Sequence, residues 1–294
     1  MRIAIHHRLS ITPPPGTVHA LMQLLLTPQS GAGQKVESWS MDMPGLDNAA
    51  RFTDAYGNIM HLVNQSRPEG ELVVTVDGVV ETMDNHGVLG RIGGEPVPAL
   101  FKRRTQLTQG NEEIFGQFKG SSVNRLDVLH RLMAAVMEAL VPEDAAAEPV
   151  PEGSEPNQSM SAAGMVQKME GMTQSGGDVL TQVAESEGAS IKSLPLASEF
   201  AHQFIGAARA LNIPARYVTG YLADEGGSAA LHAWAEAYDD RLGWIGFDPM
   251  LQLCPTEQHV RLAAGLDAHT TQPLRAVPLG DGVRILGISV APAA

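Results

Sequence analysis

The run from residue 196 to 249 constrains the fold more than any other part of the chain. In "LASEFAHQFIGAARALNIPARYVTGYL", Phe200, Phe204, Ala207, Ala208 and Leu211 recur at helical spacing and give one helix a buried stripe. Asn212 stands where a left-handed residue would end that helix, and Pro214 forbids its continuation. "ARYVTGYL" then reads as a strand. "ALHAWAEAYDDRLGWIGFDPM" reads as strand, Asp-Asp turn and strand, with Pro249 closing the second. The pattern predicts an α+β chain in which a helix packs on an antiparallel sheet.

Residues 1–120 carry strand signals and are expected to form an N-terminal antiparallel β-domain. Ile3, Ile5, His7, Leu9 and Ile11 alternate at period two, so the adjacent His6 and His7 should point to opposite faces. Tyr56-Gly57-Asn58 separates two apolar runs as a turn, and Asp77-Gly78 suggests a bulge or turn inside a later strand. A bridging helix is expected at 121–141, capped by Asn124. The tail "VRILGISVAPAA" offers one more strand, grouped by position with a core domain at 189–294.

Between helix and core, residues 142–188 form an acidic insert rich in Pro, Glu and Met: "PEDAAAEPVPEGSEPNQS" has no apolar period, and "MSAAGMVQKMEGM", with Met160, Met165, Met169 and Met172, reads either as a soft docking helix or as a weakly helical linker. They hold nine acids against one base, Lys168, out of a net charge of −13 for the whole chain. The acidity is therefore concentrated in one insert. Nucleic acid is not an expected partner, because its binding needs clustered Lys and Arg. Docking on anionic membrane is disfavoured on the same ground. The one cysteine, Cys254, rules out an internal disulfide and a Cys-based zinc site, and fits the cytoplasm. The histidines His202, His232, His259 and His269 are scattered along the chain, so no metal is expected, and nothing indicates another cofactor.

A helix start followed by two strands, with His232 entering the first and Asp248 leaving the second, is the order a Cys-His-Asp triad needs. The sulfur belongs at the helix N-terminus, where unpaired N–H groups favour a thiolate, and the Asp fixes the His tautomer. In "PLASEFAH", "RALNIPARYVTGY", "LHAWAEAY", "GWIGFDPM" and "EQHVRLAAGLDAH" the chain resembles the bacterial transglutaminase-like family, on the papain-like cysteine peptidase fold. "FTDAYGN", residues 52–58, resembles that family's N-terminal β-domain. The resemblance implies acyl-transfer chemistry with His232 and Asp248 as catalytic partners.

The departures bear on activity. Counting back five from His202 puts Ala197 at the nucleophile position, with Ser198 where the family has Gln and Glu199 where it has Asp. Loss of a triad nucleophile costs about 10⁶ in turnover, roughly 8 kcal/mol of barrier, so acyl transfer by that mechanism should be absent. Ser198 lies about 100° around the helix from the vacated direction. Trp234 and Trp244 are expected to be core aromatics that could also wall a cleft. The expectation is a pseudoenzyme that binds a peptide, an amide substrate or a partner protein. Two alternatives stay open: an active cysteine peptidase, amidase or transglutaminase whose nucleophile has been exchanged for Ala197, and an assembly module acting through the acidic insert. The oligomeric state is not legible.

Overall fold

In β1 (Arg2–Ile11) the alternation becomes burial: Ile3, Ile5, His7, Leu9 and Ile11 are all at most 2% exposed. His6 faces outward to Asp77, 2.6 Å away. His7 faces inward, with Nδ1 3.0 Å from the hydroxyl of Tyr221. The computed structural model describes residues 1–91, 93–141, 193–223 and 230–293. The acidic insert, expected at 142–188, lies outside the described residues.

Among the described residues, three antiparallel sheets organise the chain. In the first, β1 lies between β6 (Leu72–Thr82) and β13 (Val283–Pro292), with β3 (Gln34–Asp42) beyond β6. The second has the order β12 (Leu274–Val277), β2 (His19–Thr27), β5 (Ile59–Ser66) and β4 (Ala50–Thr53). The third, the core sheet, runs β11 (His259–Gly265), β8 (Ala215–Leu222), β9 (Ala230–Asp239), β10 (Gly243–Phe247) and β7 (Val88–Gly90).

Chain order and sheet membership part company at both ends. Residues 274–292, grouped by sequence with the core, return as β12 and β13 to pair with β2 and β1. Residues 88–90, from the N-terminal part, add β7 to the edge of the core sheet. Period-two patterning reports which face a strand buries, and not which strand it pairs with.

The expected bulge or turn at Asp77-Gly78 is not there. β6 runs through both residues without a register shift against β1. Glycine is needed at 78 for another reason: a Cβ would stand 2.1 Å from the indole of Trp39, which lies across the strand. The Tyr56-Gly57-Asn58 turn does form. Asp54 Oδ1 accepts the backbone N–H groups of Tyr56 and Asn58, both at 2.8 Å, and Gly57 has φ +90°.

A short helical turn, α1 (Glu112–Phe115), precedes α2 (Arg125–Leu140). Asn124 caps α2, its side chain accepting the Asp127 N–H at 2.9 Å. α3 (Ser193–Ala210) then packs on the core sheet. It stops where the sequence said it would, with Asn212 at φ +61° before Pro214. Arg209, in its last turn, is buried and ties the helix end to three other segments through Phe101 O, Thr108 Oγ1, Ala215 O and Leu266 O.

Side chains of β9 alternate between two surroundings. Ala233, Ala235 and Ala237 join Phe200, Phe204 and Phe247 in the core beneath α3. Trp234 packs with Val218 and Ala264 on the opposite face. A second core fills the N-terminal sheets and extends to Tyr221, Leu231 and Val260 of the core sheet.

Candidate functional site

Asp248 leaves β10 fully buried and anchors the site. Its Oδ1 accepts the N–H groups of Met250 and Leu251, at 3.1 and 3.0 Å. Its Oδ2 is shared by two imidazoles, His232 Nε2 at 2.5 Å and His259 Nε2 at 3.2 Å. Burial alone would raise the Asp248 carboxyl, but His232 and then His259 outweigh it and hold the group well below the usual carboxylate range. An ionised carboxylate only accepts, so both Nε2 atoms carry hydrogen.

Independent geometry fixes the His259 tautomer. Its Nδ1 accepts the backbone N–H of Thr256 at 3.1 Å, which requires the proton on Nε2. Burial, opposed by Asp248, leaves His259 below the ordinary histidine value. His232 differs at its far nitrogen: among the described residues nothing is hydrogen-bonded to Nδ1. With its hydrogen on Nε2, the neutral form of the ring has its lone pair at Nδ1, oriented from behind by Asp248. That is the arrangement of a general base.

The sequence treats His232 and His259 as scattered, and the fold brings them onto one carboxylate oxygen. Asp248 and Leu253 form an antiparallel bridge, so the chain doubles back after Asp248 and delivers His259 to it. The motif that held His259 was legible, but its role was not. Ligand atoms of His232, Asp248 and His259 lie within 4.8 Å of one another, close enough to consider a cation. A metal-bound histidine normally donates from its remote nitrogen. Here the remote nitrogen of His259 accepts, so coordination through Nε2 would demand an imidazolate. The donor set fits a hydrogen-bonded trio better than a metal centre.

Ala197 is completely buried, in the core beneath α3 that also contains Ala233, Phe247 and Met250. These three are chain neighbours of His232 and Asp248. The imidazole of His232, however, lies with Trp234 (ring centroids 6.2 Å apart) and His259 (5.8 Å). Position 197 thus holds a methyl group within the hydrophobic core. Glu199 is exposed.

Ser198 is drawn into a different set of contacts. Its Oγ accepts from the Tyr217 hydroxyl at 2.9 Å and sits 3.5 Å from His202 Nδ1. His202 Nε2 accepts the Ala268 N–H at 3.1 Å, which leaves the proton on Nδ1. Burial, opposed by Asp267, takes His202 down to about 4. Its Nδ1 can therefore donate to Ser198 but cannot take the serine proton. Ser198 has no base in this arrangement.

On the Trp234 face of the core sheet lies a cavity of about 280 Å³, bounded by Trp234, Glu236, His259 and Arg261 with Gln34 and Asn85 from N-terminal segments. His259 is the link, touching Asp248 with one nitrogen while its ring walls the cavity. Trp244 lies elsewhere, packed by Phe101 and Tyr238 with the Arg216 guanidinium 4.0 Å from its ring. Glu236, buried below the cavity, accepts from Arg216 Nε at 2.5 Å and Arg261 Nε at 2.8 Å. Glu95 takes Arg216 Nη1 at 2.9 Å. Burial would raise the Glu236 carboxyl, and the two arginines more than reverse that.

A helix packed on an antiparallel sheet, with a His–Asp pair at the sheet's end, defines the papain-like class. Residues 181–249 match the transglutaminase-like superfamily, and residues 3–81 match the bacterial transglutaminase-like N-terminal region. The chain thus matches the transglutaminase-like superfamily in its core segment and the bacterial members' N-terminal region in its first part. An uncharacterized protein of Mycobacterium leprae (strain TN) is 24% identical over 273 residues, 90% of this chain and 88% of that protein. A crystal structure of a candidate cysteine protease from Cytophaga hutchinsonii aligns with a TM-score of 0.60 at 19% identity, covering 99% of this chain and 89% of that one. It shows the shared fold. The periplasmic domain of TgpA from Pseudomonas aeruginosa is 18% identical over 84% of this chain and 90% of that one, with a TM-score of 0.27. Among the described residues, no helix is long and apolar enough to cross a membrane.

Proposed function

We propose that this chain is a catalytically defective transglutaminase-like protein that binds a peptide, an amide-bearing substrate or a partner protein without forming an acyl-enzyme. One observation carries the reading: the motif's nucleophile position is Ala197, while His232 and Asp248 keep the hydrogen bond of a base and its orienting acid. A methyl group cannot attack a carbonyl. The two side chains that might replace the sulfur are poorly placed. Ser198 lacks a base, and burial pushes the Cys254 thiol above its ordinary value, away from the reactive thiolate. The single thiol supports a cytoplasmic setting.

The test compares the unaltered protein with Ala197→Cys on fluorogenic peptide amides and on amine incorporation into a glutamine peptide. The unaltered chain should show no turnover above background. Saturable turnover by the unaltered chain at ordinary enzyme rates would end the reading. Thioester or thioether trapping by Ala197→Cys would show that the scaffold lacks only its sulfur. The charge concentrated at 142–188 supports a further role for that insert in holding a partner, checked by deleting 143–188 and measuring partner capture.

A further inference from the structure

The second sheet buries one face, with Met22, Leu24, Val63 and Leu274 in the core it shares with β1 and β6, and leaves the other face open. Register fixes what stands on the open face. Val277 of β12 lies directly across from Leu21 of β2. Leu21 is paired with Asn64 and Gln23 with Leu62, so Leu62 is the diagonal neighbour of Leu21. Met60 follows two residues along β5 and pairs with Phe52 of β4. These five side chains form one apolar stripe that crosses all four strands. Val277 is 71% exposed, Leu21 43% and Phe52 45%, while Leu62 and Met60 are partly exposed. Strands about 4.8 Å apart, with about 3.4 Å per residue along each, give the stripe a length of about 20 Å. Exposed apolar residues scattered singly need no explanation, but a contiguous set marks a contact surface.

Shape and charge narrow the occupant. Most of the remaining open face is polar, with His19, Gln23, Asn64 and Ser66 beside the stripe. A partner sheet would have to bury that polar surface too, whereas an amphipathic helix buries one stripe. About 13 helical residues span 20 Å at about 1.5 Å per residue. None of the four strands contains Asp or Glu. The acids that flank them in sequence, such as Asp54 and Asp281, lie in connecting segments. Arg275 stands on the open face, across from Gln23 and two residues from Val277, and is in no ion pair among the described residues. A two-fold contact uses the same patch twice, so a second copy would add another Arg275 and no carboxylate. The net charge of −13 opposes an anionic membrane. An acidic polypeptide supplies what Arg275 lacks.

We infer that this open face is a docking surface for an acidic amphipathic helix of a partner protein, whose apolar side chains cover the stripe from Val277 to Phe52 and whose carboxylates meet Arg275. The inference goes beyond the loss of acyl transfer and does not depend on it, because no residue of the His232–Asp248 site takes part.

The experiment titrates the full chain with two synthetic helices of about 18 residues that share one leucine stripe, flanked by Glu in one and by Lys in the other. Methyl ¹³C NMR follows Leu21, Met60, Leu62 and Val277, each assigned by single substitution. The Glu helix should shift these signals saturably and bind at least about tenfold more tightly than the Lys helix, with the gap narrowing at high salt. Val277→Ser should weaken the Glu helix by about tenfold and leave the melting temperature unchanged, because the side chain is exposed. Arg275→Glu should reverse the preference between the two helices. The inference fails if neither helix gives saturable shifts, if both bind alike, or if Arg275→Glu leaves the preference as it was. It fails in favour of a second copy if the same signals move with protein concentration alone and sedimentation shows a dimer. It fails in favour of a lipid surface if vesicles of phosphatidylcholine and phosphatidylserine in equal parts broaden those signals and the helices do not. It fails in favour of the chain's own insert if the Glu helix binds only after residues 143–188 are deleted. Each of these failures would leave the binding role proposed for the His232 site standing.

Discussion

His259 shares with His232 a single acceptor, Oδ2 of Asp248, at 3.2 and 2.5 Å. The second imidazole therefore reaches the first through the carboxylate as well as by the edge contact of the two rings. It helps keep Asp248 ionised, and an ionised Asp248 holds the His232 proton on Nε2 and its lone pair on Nδ1. His259 is a positioning residue in this arrangement. The Thr256 N–H, bonded to its other nitrogen, decides which way it faces.

His259→Phe should keep the ring's bulk and remove the donor. A hydrogen bond to a charged group contributes about 1.5–3 kcal/mol, and urea denaturation should report a loss of that order. In the unaltered protein, ¹⁵N shifts should show both His232 and His259 protonated on Nε2 at neutral pH. A proton found on His259 Nδ1 would contradict the assignment directly, since the Thr256 N–H would then have no acceptor there.

The arginine–glutamate group predicts a larger effect. Arg216 is fully buried, Glu236 is 1% exposed at its side chain, and Glu236 accepts from two guanidinium groups. Removing one partner of a buried pair strands the other charge, at a cost of about 3–5 kcal/mol. Glu236→Gln should show a loss toward the lower end of that range in denaturant unfolding, because Arg216 keeps Glu95. Arg261→Met should cost less, because Arg261 is 20% exposed and Glu236 keeps Arg216. Equal losses in the two variants would refute the view that burial sets the penalty.

Local patterning made much of this legible. The α3 stripe, its stop at Asn212 and the strand–turn–strand of β9 and β10 follow from period, turn chemistry and proline, all of which act over a few residues. Motif order led to His232 and Asp248. The rest depends on long-range pairing. His259 meets Asp248 because the chain bridges back at Leu253, and the motif alone does not encode that return. β12 and β13 crossing to the N-terminal sheets, and β7 joining the core sheet, are choices among edges that alternation leaves equivalent. The cavity over Trp234 takes walls from residues more than a hundred positions apart, such as Asn85 and His259, so no sequence window contains it. Ser198 shows the converse. Its neighbours in sequence invite a nucleophile, and only the Ala268 N–H on His202 shows that the needed base is occupied.

Two buried histidines contribute to the acid behaviour of the fold beside Asp248, His259 and Glu236. Burial, reinforced by His6, takes His7 down to about 3, and burial, opposed by Asp267, takes His202 down to about 4. Both are neutral in the folded chain at pH 5, while in the unfolded chain they titrate near the ordinary value of about 6.5. Below that value the unfolded state binds more protons, so stability falls as pH falls. Each histidine adds a slope of about 1.4 kcal/mol per pH unit, from about 6.5 down to about 4 for His202 and about 3 for His7. As pH falls His202 takes its proton before His7, and protonation of His7, which lies where β1 meets Tyr221 of the core sheet, should then loosen that junction. Chemical denaturation at stepped pH should give a steep decline between pH 6.5 and 4 in the unaltered chain, and a shallower one in His7→Phe. An unchanged slope in His7→Phe would show that His7 does not carry this sensitivity.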